Sequence, residues 1–264
     1  MKEGGFGINL KKGMEGLFID VQGTLIDDEK FLPLPGSIEF LDFLNKKFIP
    51  FVLITNNTKR PSEQFKKYLK DLGFNFNNYI DPLMVIGDVL KYKNIAVYGS
   101  EAFLKVLKHS GYQLDYKNPK AVVLGIKLFS TEEFAEIIEL LLKGAELAGM
   151  HKTSLYSKNF KRYPGLGAVL EMLKYATDRD YVTVGKPSEV FFERARECLK
   201  INYDKITIIS DDLKGDLLPA SKLGMKSVLV LSGKIKSIRE INQKPDMVAE
   251  DLQALLKYWR KNGE

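Results

Sequence analysis

The sequence predicts an α/β protein in which a doubly wound parallel sheet is interrupted by a second, inserted α/β unit. Three observations carry that expectation. Short apolar runs alternate with stretches of helical period, the pattern of parallel strands joined by right-handed crossovers. Three of those runs, near the two ends of the chain, finish in acidic or hydroxyl-bearing residues. The middle third keeps the alternation but loses the polar ends.

The first run, Leu17-Phe18-Ile19, reads as a strand buried on both faces that delivers Asp20 to its carboxyl end. A carboxylate there must be used or compensated. Gly23 permits a tight turn and Thr24 can hydrogen-bond back into it, so LFIDVQGTL (17–25) reads as a strand and a compact loop whose N–H groups can face an anion. Taken alone, the stretch fits equally well an Asp that merely caps the next element. Pro35 and Gly36 then head an amphipathic helix over 34–48. A second buried strand, Phe51-Val52-Leu53-Ile54, ends in Thr55-Asn56-Asn57-Thr58, and a helix from Arg60 through Leu72 stops at Gly73.

Between 88 and 177 strands are expected at Ile95–Tyr98 and Val122–Ile126, with helices over Glu101–Ser110, Thr131–Ala148 (Ser130 as cap) and Ala168–Ala176. Because none of these strands ends in a carboxylate, 88–177 is expected to be an inserted α/β domain, with 1–87 and 178–264 forming a discontinuous core domain. One continuous sheet is the alternative. The core theme is expected to resume with Tyr181-Val182-Thr183-Val184, which leads into Gly185-Lys186-Pro187-Ser188 and a helix; Pro187 and Ser188 suit its amino end, where Lys186 would sit beside a ready anion site. A lone Lys is more often a surface group. Ile206–Ile209 is a third core strand ending in Ser210-Asp211-Asp212, with Asp216 one turn further on. Val228–Leu231 and a helix over Asp251–Trp259 close the chain.

Composition narrows the function classes. Of 264 residues, 45% are apolar and 28% charged, as in a globular protein with a sizeable core, and a net charge of +6 without a long basic block reads as a solvated surface, not a nucleic-acid footprint. A single cysteine, Cys198, excludes an internal disulfide and a cysteine metal site and is expected to pack in a helix; two histidines make zinc catalysis improbable. No apolar run is long enough to span a membrane, and the Gly-rich, polar 1–13 does not read as a signal peptide, so no membrane partner and a cytoplasmic setting are expected.

In an open parallel sheet, ligands bind beyond the carboxyl ends of the strands near the switch in strand order. Three strands deliver Asp20, Thr55 and Asp211 to that edge, and a loop delivers Lys186. Two neighbouring carboxylates repel unless a cation sits between them, and with so few His and Cys the hard ion Mg²⁺ is the expected one. A Lys, a Thr hydroxyl and loop N–H groups would add positive ends aimed at a dianion, giving a phosphate site that contains a carboxylate nucleophile.

The set DVQGTL, ITNN, VGKPS and SDDLKGDL, in that order and with a long insert between the second and third, resembles the haloacid dehalogenase (HAD) superfamily of phosphotransferases. Within it the chain is similar to the NagD-like, p-nitrophenylphosphatase-like branch (class IIA), whose α/β cap lies in that interval. Pro35-Gly36-Ser37-Ile38-Glu39-Phe40, Tyr98-Gly99-Ser100, Pro164-Gly165-Leu166-Gly167-Ala168, and Gly224-Met225 followed by Val228–Gly233 extend the likeness along nearly the whole chain. The resemblance implies a Rossmann-like core with an inserted cap, and a small phosphorylated metabolite as substrate. In it Asp20 would attack phosphorus to form an aspartyl-phosphate; Thr55 and Asn56, with Asn57 and the Gly23 loop, would hold phosphate oxygens; and Lys186 would offset their charge. Asp20, the backbone carbonyl of Gln22 and Asp211 would bind Mg²⁺, with Asp212 and Asp216 orienting the ligands. Caps of this kind also make a homodimer an expectation.

One departure stands out. The family pattern is Asp-x-Asp-Gly-Thr, and its second Asp protonates the leaving alcohol and later activates water; here that position is Gln22. An amide cannot transfer a proton at ordinary pH. Metal and phosphate binding should survive while proton transfer suffers, most of all for alkyl phosphates. The cap is also off-pattern, reading Met150-His151-Lys152-Thr153-Ser154 with Tyr156 and Arg162 nearby. His151 and Tyr156 could meet the leaving group, although a His that ends a strand and packs structurally is the favoured reading. Two functions stand: a weakened or specialised Mg²⁺-dependent phosphatase, and a non-catalytic binder of a phosphorylated metabolite. A long-lived aspartyl-phosphate is a third.

Overall fold

The computed structural model describes residues 14–158, 161–241 and 243–262, with the side chains at 157, 158 and 262 excepted. The N-terminal stretch 1–13, on which the signal-peptide reading rests, lies outside the described residues. The chain divides into two compact units, one built from the residues up to Thr55, Lys66–Ile80 and the residues from Phe192 on, the other from Asn56–Phe65 and Asp81–Phe191.

In chain order the first elements are β1 (Gly16–Asp20), α1 (Ser37–Lys46), β2 (Phe51–Ile54), α2 (Ser62–Asp71) and β3 (Asn78–Ile80). There follow α3 (Pro82–Val89), β4 (Asn94–Tyr98), α4 (Glu101–His109), β5 (Gln113–Leu114), β6 (Ala121–Leu124), α5 (Thr131–Leu142), β7 (Glu146–Gly149), a hairpin of β8 (Leu155–Lys158) and β9 (Lys161–Pro164), α6 (Leu166–Thr177), β10 (Tyr181–Thr183) and α7 (Glu189–Leu199). The chain ends with β11 (Ile206–Ser210), α8 (Leu218–Lys222), β12 (Lys226–Val230), β13 (Met247–Ala249) and α9 (Leu252–Asn262).

The first unit carries a six-stranded sheet in the order β3-β2-β1-β11-β12-β13, parallel throughout. Relative to the order of these strands along the chain this is the doubly wound arrangement, with its switch point between β1 and β11. The apolar runs form its centre because every residue of β1, β2 and β11 is buried, and apart from Thr207 of β11 their polar side chains come where the strands end. Phe40, Leu41 and Leu44 of α1 and Leu252, Leu255, Leu256 and Trp259 of α9 are buried, the Phe40 and Trp259 rings meeting 5.2 Å apart at 45°.

The second unit has its own parallel sheet, β5-β4-β6-β7-β10, so the alternative of one continuous sheet does not hold. Local chemistry sets its helix starts: Asp81 accepts the N–H groups of Leu83 and Met84 at the head of α3, and Ser130 with Glu133 forms a capping box on α5.

Several expected boundaries move. The helix expected over Thr131–Ala148 ends at Leu142, and Glu146–Gly149 becomes β7, because Ala121–Leu124 offers a parallel partner that sequence period alone does not reveal. The core domain was expected to resume at 178, yet Tyr181–Thr183 pairs with Leu147–Gly149 in the second sheet. Val182 there is 44% exposed, and the run with which the core theme was expected to resume is an edge strand of the second sheet. Cys198 lies in α7 as expected but on an exposed position, its thiol directed at the Arg194 carbonyl. Among the described residues no helix is long and apolar enough to cross a membrane.

Candidate active site

In the first unit, β11, β1 and β2 lie side by side, with Ile19 level with Ile209 on one flank and Asp20 level with Ile54 on the other. Parallel register therefore brings the residues at and just past the three strand ends, Asp211, Asp20 and Thr55, to one edge of the sheet. All three are buried, at 1%, 4% and 0% exposure. The sheet thus assembles what the sequence scattered.

Thr24 ties two of these ends together. Its hydroxyl donates to Oδ2 of Asp20 at 3.2 Å and accepts the backbone N–H of Asp211 at 3.2 Å. It bonds back into its own segment, as expected, and in addition clamps β1 to β11. Gly23 has a φ of +80°, and a Cβ there would overlap the Asp211 carboxylate, so glycine is required both by backbone conformation and by close approach. The Gly23 N–H goes to the Ile26 carbonyl, and those of Thr24, Leu25 and Ile26 all go to the Val21 carbonyl, so closing the turn takes up these four donors, that of Gly23 among them.

Gln22 sits beside Thr55, whose hydroxyl donates to Oε1 of Gln22. Asp211 is fixed on its other side by the backbone N–H of Lys234, which reaches Oδ2 at 2.6 Å. Burial, and then the neighbouring Asp20 carboxylate, push the Asp211 carboxyl well above the usual range, with Lys234 pulling the other way. Asp212 accepts the Gly215 N–H at 2.7 Å at the start of a π-helical turn (Leu213–Leu217) and pairs with the Lys234 ammonium. Asp216, on that turn, accepts the Ser210 hydroxyl at 2.7 Å.

These carboxylates suit a hard cation. Among the described residues no three His, Cys, Asp or Glu side chains form a metal cluster. A cation here would use two carboxylates, Asp20 and Asp211, add a backbone carbonyl such as that of Gln22, and complete its shell with water, which is how Mg²⁺ commonly binds. The repulsion between Asp20 and Asp211 is the feature such an ion relieves.

The other expected site residues belong to the second unit. Asn56 spends its amide on one backbone residue: Oδ1 accepts the Lys186 N–H at 2.9 Å and Nδ2 points to the Lys186 carbonyl at 3.5 Å. Asn57 does likewise with Arg60, donating to its carbonyl at 2.8 Å and accepting its N–H at 3.3 Å. Both were expected on phosphate oxygens; their amide groups instead organise the loops they sit in, a common use of Asn. Lys186 is buried, and Ser188 caps α7 by accepting the Phe191 N–H at 3.2 Å. His151 is buried two residues beyond β7 and accepts the Thr153 N–H at Nδ1 at 3.4 Å. Tyr156 stacks on Tyr163 across the β8–β9 hairpin at 5.4 Å, and burial raises its phenol.

Lys234 was not anticipated. The signal was present: Ser232-Gly233 directly after a buried strand repeats the strand-then-glycine pattern of the first motif.

A model of haloacid dehalogenase-like hydrolases matches residues 17–113, and a second, HAD-hydrolase-like model matches 183–255. The chain is 28% identical over 247 residues to the mouse haloacid dehalogenase-like hydrolase domain-containing protein 2, covering 91% of this chain and 93% of the relative. It is 24% identical over 238 residues to the ribonucleotide monophosphatase NagD of Escherichia coli K12, covering 88% and 93%. Its fold is similar to a 4-nitrophenylphosphatase from Thermotoga maritima, with a TM-score of 0.80, 25% identity and coverage of 93% and 97%.

Proposed function

Because the chain belongs to the haloacid dehalogenase-like hydrolases, on the NagD and p-nitrophenylphosphatase branch, we propose that it is a Mg²⁺-dependent phosphatase or phosphotransferase of a small phosphorylated metabolite, working through an aspartyl-phosphate in a cytoplasmic setting. The observation that carries the reading is the meeting of Asp20, Thr55 and Asp211 at one buried sheet edge.

An Asp20 oxygen attacks phosphorus, the Asp20–phosphate bond forms, and the bond to the leaving oxygen breaks; water then cleaves the acyl phosphate and restores the carboxylate. Thr24 orients the nucleophile by its bond to Oδ2. Thr55 is assigned to the transferred phosphate, Asp20, Asp211 and the Gln22 carbonyl to Mg²⁺, and Asp212 and Asp216 to holding that edge in shape. Bound Mg²⁺ would draw the phosphate toward Asp20 and offset the charge of both.

Gln22 supplies no proton to the leaving group, which favours aryl or acyl phosphates, whose leaving groups need none. The bond from Thr55 to Gln22 also favours a second reading, a phosphometabolite binder without turnover. Release of p-nitrophenol in the presence of Mg²⁺ separates the two. Turnover by the wild type that vanishes in Asp20→Asn supports the phosphatase; turnover that persists in Asp20→Asn removes the nucleophile assignment.

A further inference from the structure

Lys234 is tied to the acidic edge of the first sheet twice over. Its backbone N–H donates to Oδ2 of Asp211 at 2.6 Å, and its ammonium pairs with Oδ2 of Asp212. The ammonium thus stands beside a carboxylate cluster: Asp212 directly, with Asp211, Asp216 and Asp28 in the same electrostatic neighbourhood and Asp20 next to Asp211. The side chain is 41% exposed, so the core does not need it for packing, whereas Asp212 beneath it is only 16% exposed. Any residue at 234 other than proline supplies the N–H to Asp211; only a cation supplies the charge.

We infer that Lys234 is a tethered cation that sets how tightly this acidic edge holds a divalent ion, acting as a positioning residue through Asp211 and Asp212 without touching the reacting atoms. The inference rests on the divalent site proposed above. A fixed positive charge near the ligands repels the incoming ion and already satisfies part of the negative field that would attract it. It also holds Asp212 on a lysine partner. The consequence runs against ordinary intuition about losing a salt bridge: removing the charge tightens divalent binding.

The test is Mg²⁺ titration by calorimetry, with Mg²⁺-dependent thermal shift alongside, on the intact wild type, Lys234→Met, Lys234→Arg and Asp211→Asn. Lys234→Met keeps the aliphatic stem and the backbone donor. Its Mg²⁺ Kd is expected to fall by roughly threefold to thirtyfold, the size of one screened charge interaction near a surface. The gap should narrow as salt rises, and Lys234→Arg should bind as the wild type does. A merely structural lysine would give weaker binding on removal, so unchanged or weaker binding by Lys234→Met overturns the inference, as does equal tightening in Lys234→Arg. If Asp211→Asn binds Mg²⁺ as the wild type does, or no form binds it, the divalent site itself is wrong and the inference falls with it. Binding that is lost in Asp211→Asn and unaltered in Lys234→Met overturns the Lys234 inference alone.

Discussion

The Thr55 hydroxyl donates a 2.5 Å hydrogen bond to the amide oxygen of Gln22, joining the residue after β2 to the loop after β1. That bond occupies the acceptor end of Gln22. The end that remains carries only amide N–H groups, which donate hydrogen bonds but do not release protons to an alkoxide. On the proposed mechanism this leaves the acid–base step without a titratable group at position 22.

Gln22→Asp is expected to restore that step. The Asp side chain is one methylene shorter than that of Gln22, so the Thr55 bond to Oε1 is given up while a titratable oxygen is gained. We expect kcat for alkyl phosphates to rise by about 10² to 10⁴, with a smaller gain for p-nitrophenyl phosphate. Steady-state phosphate release on both substrate types checks this, and an equal gain on the two would contradict it.

Thr55→Val removes the donor and leaves Oε1 of Gln22 without it. The expected stability loss is about 1–2 kcal/mol, with a raised KM from the loss of a hydroxyl proposed to hold phosphate. Thr55→Ser should keep most of both. Denaturant melts and kinetics on the two variants decide the matter, and a wild-type KM in Thr55→Val would argue against a substrate role.

Thr24→Val severs the clamp between β1 and β11, because one hydroxyl serves both Asp20 and the Asp211 N–H. Losing a buried donor and a buried acceptor together should cost about 1–3 kcal/mol, seen as a Tm several degrees lower. kcat should fall more than that instability explains, since Asp20 also loses its orienting partner. Unchanged kcat in folded Thr24→Val would show that the clamp serves stability only.

Stability should depend on pH through Asp211. Its carboxyl is raised in the folded protein by burial and by Asp20, so above the ordinary Asp value of 3.8 the native state keeps a proton that the unfolded chain has released. This contribution is complete below that value and is lost as pH rises through the raised one. In EDTA, Tm should therefore fall from about pH 4 toward neutrality more steeply in the wild type than in Asp211→Asn, which cannot titrate there. Mg²⁺ favours the ionised carboxylate and should flatten the slope. Parallel pH profiles for the two proteins in EDTA would refute the assignment.

Much of the site was legible. Asp20, Thr55 and Asp211 each close a buried run, and a polar residue at such a point shows in a single stretch of sequence. The use made of the amides did not show. Asn56 and Asn57 look like phosphate ligands in ITNN, yet their side chains pair with the backbone of Lys186 and Arg60, partners that only folding brings near. Gly23 was right as a glycine and wrong as a donor, because its N–H closes the turn.

What the sequence determined by itself was periodic and local: buried strands, helix starts such as the Ser130 cap, a second α/β unit, and an amide at position 22. Tertiary structure alone decided partnership. It assigned Tyr181–Thr183 to the second sheet, set Thr24 against an N–H 187 positions away, and brought Lys234 to Asp211. The physical reason is that hydrophobic period reports which face of an element is buried, whereas the identity of its neighbour follows from strand order and register, which are settled only when the whole sheet closes its hydrogen bonds.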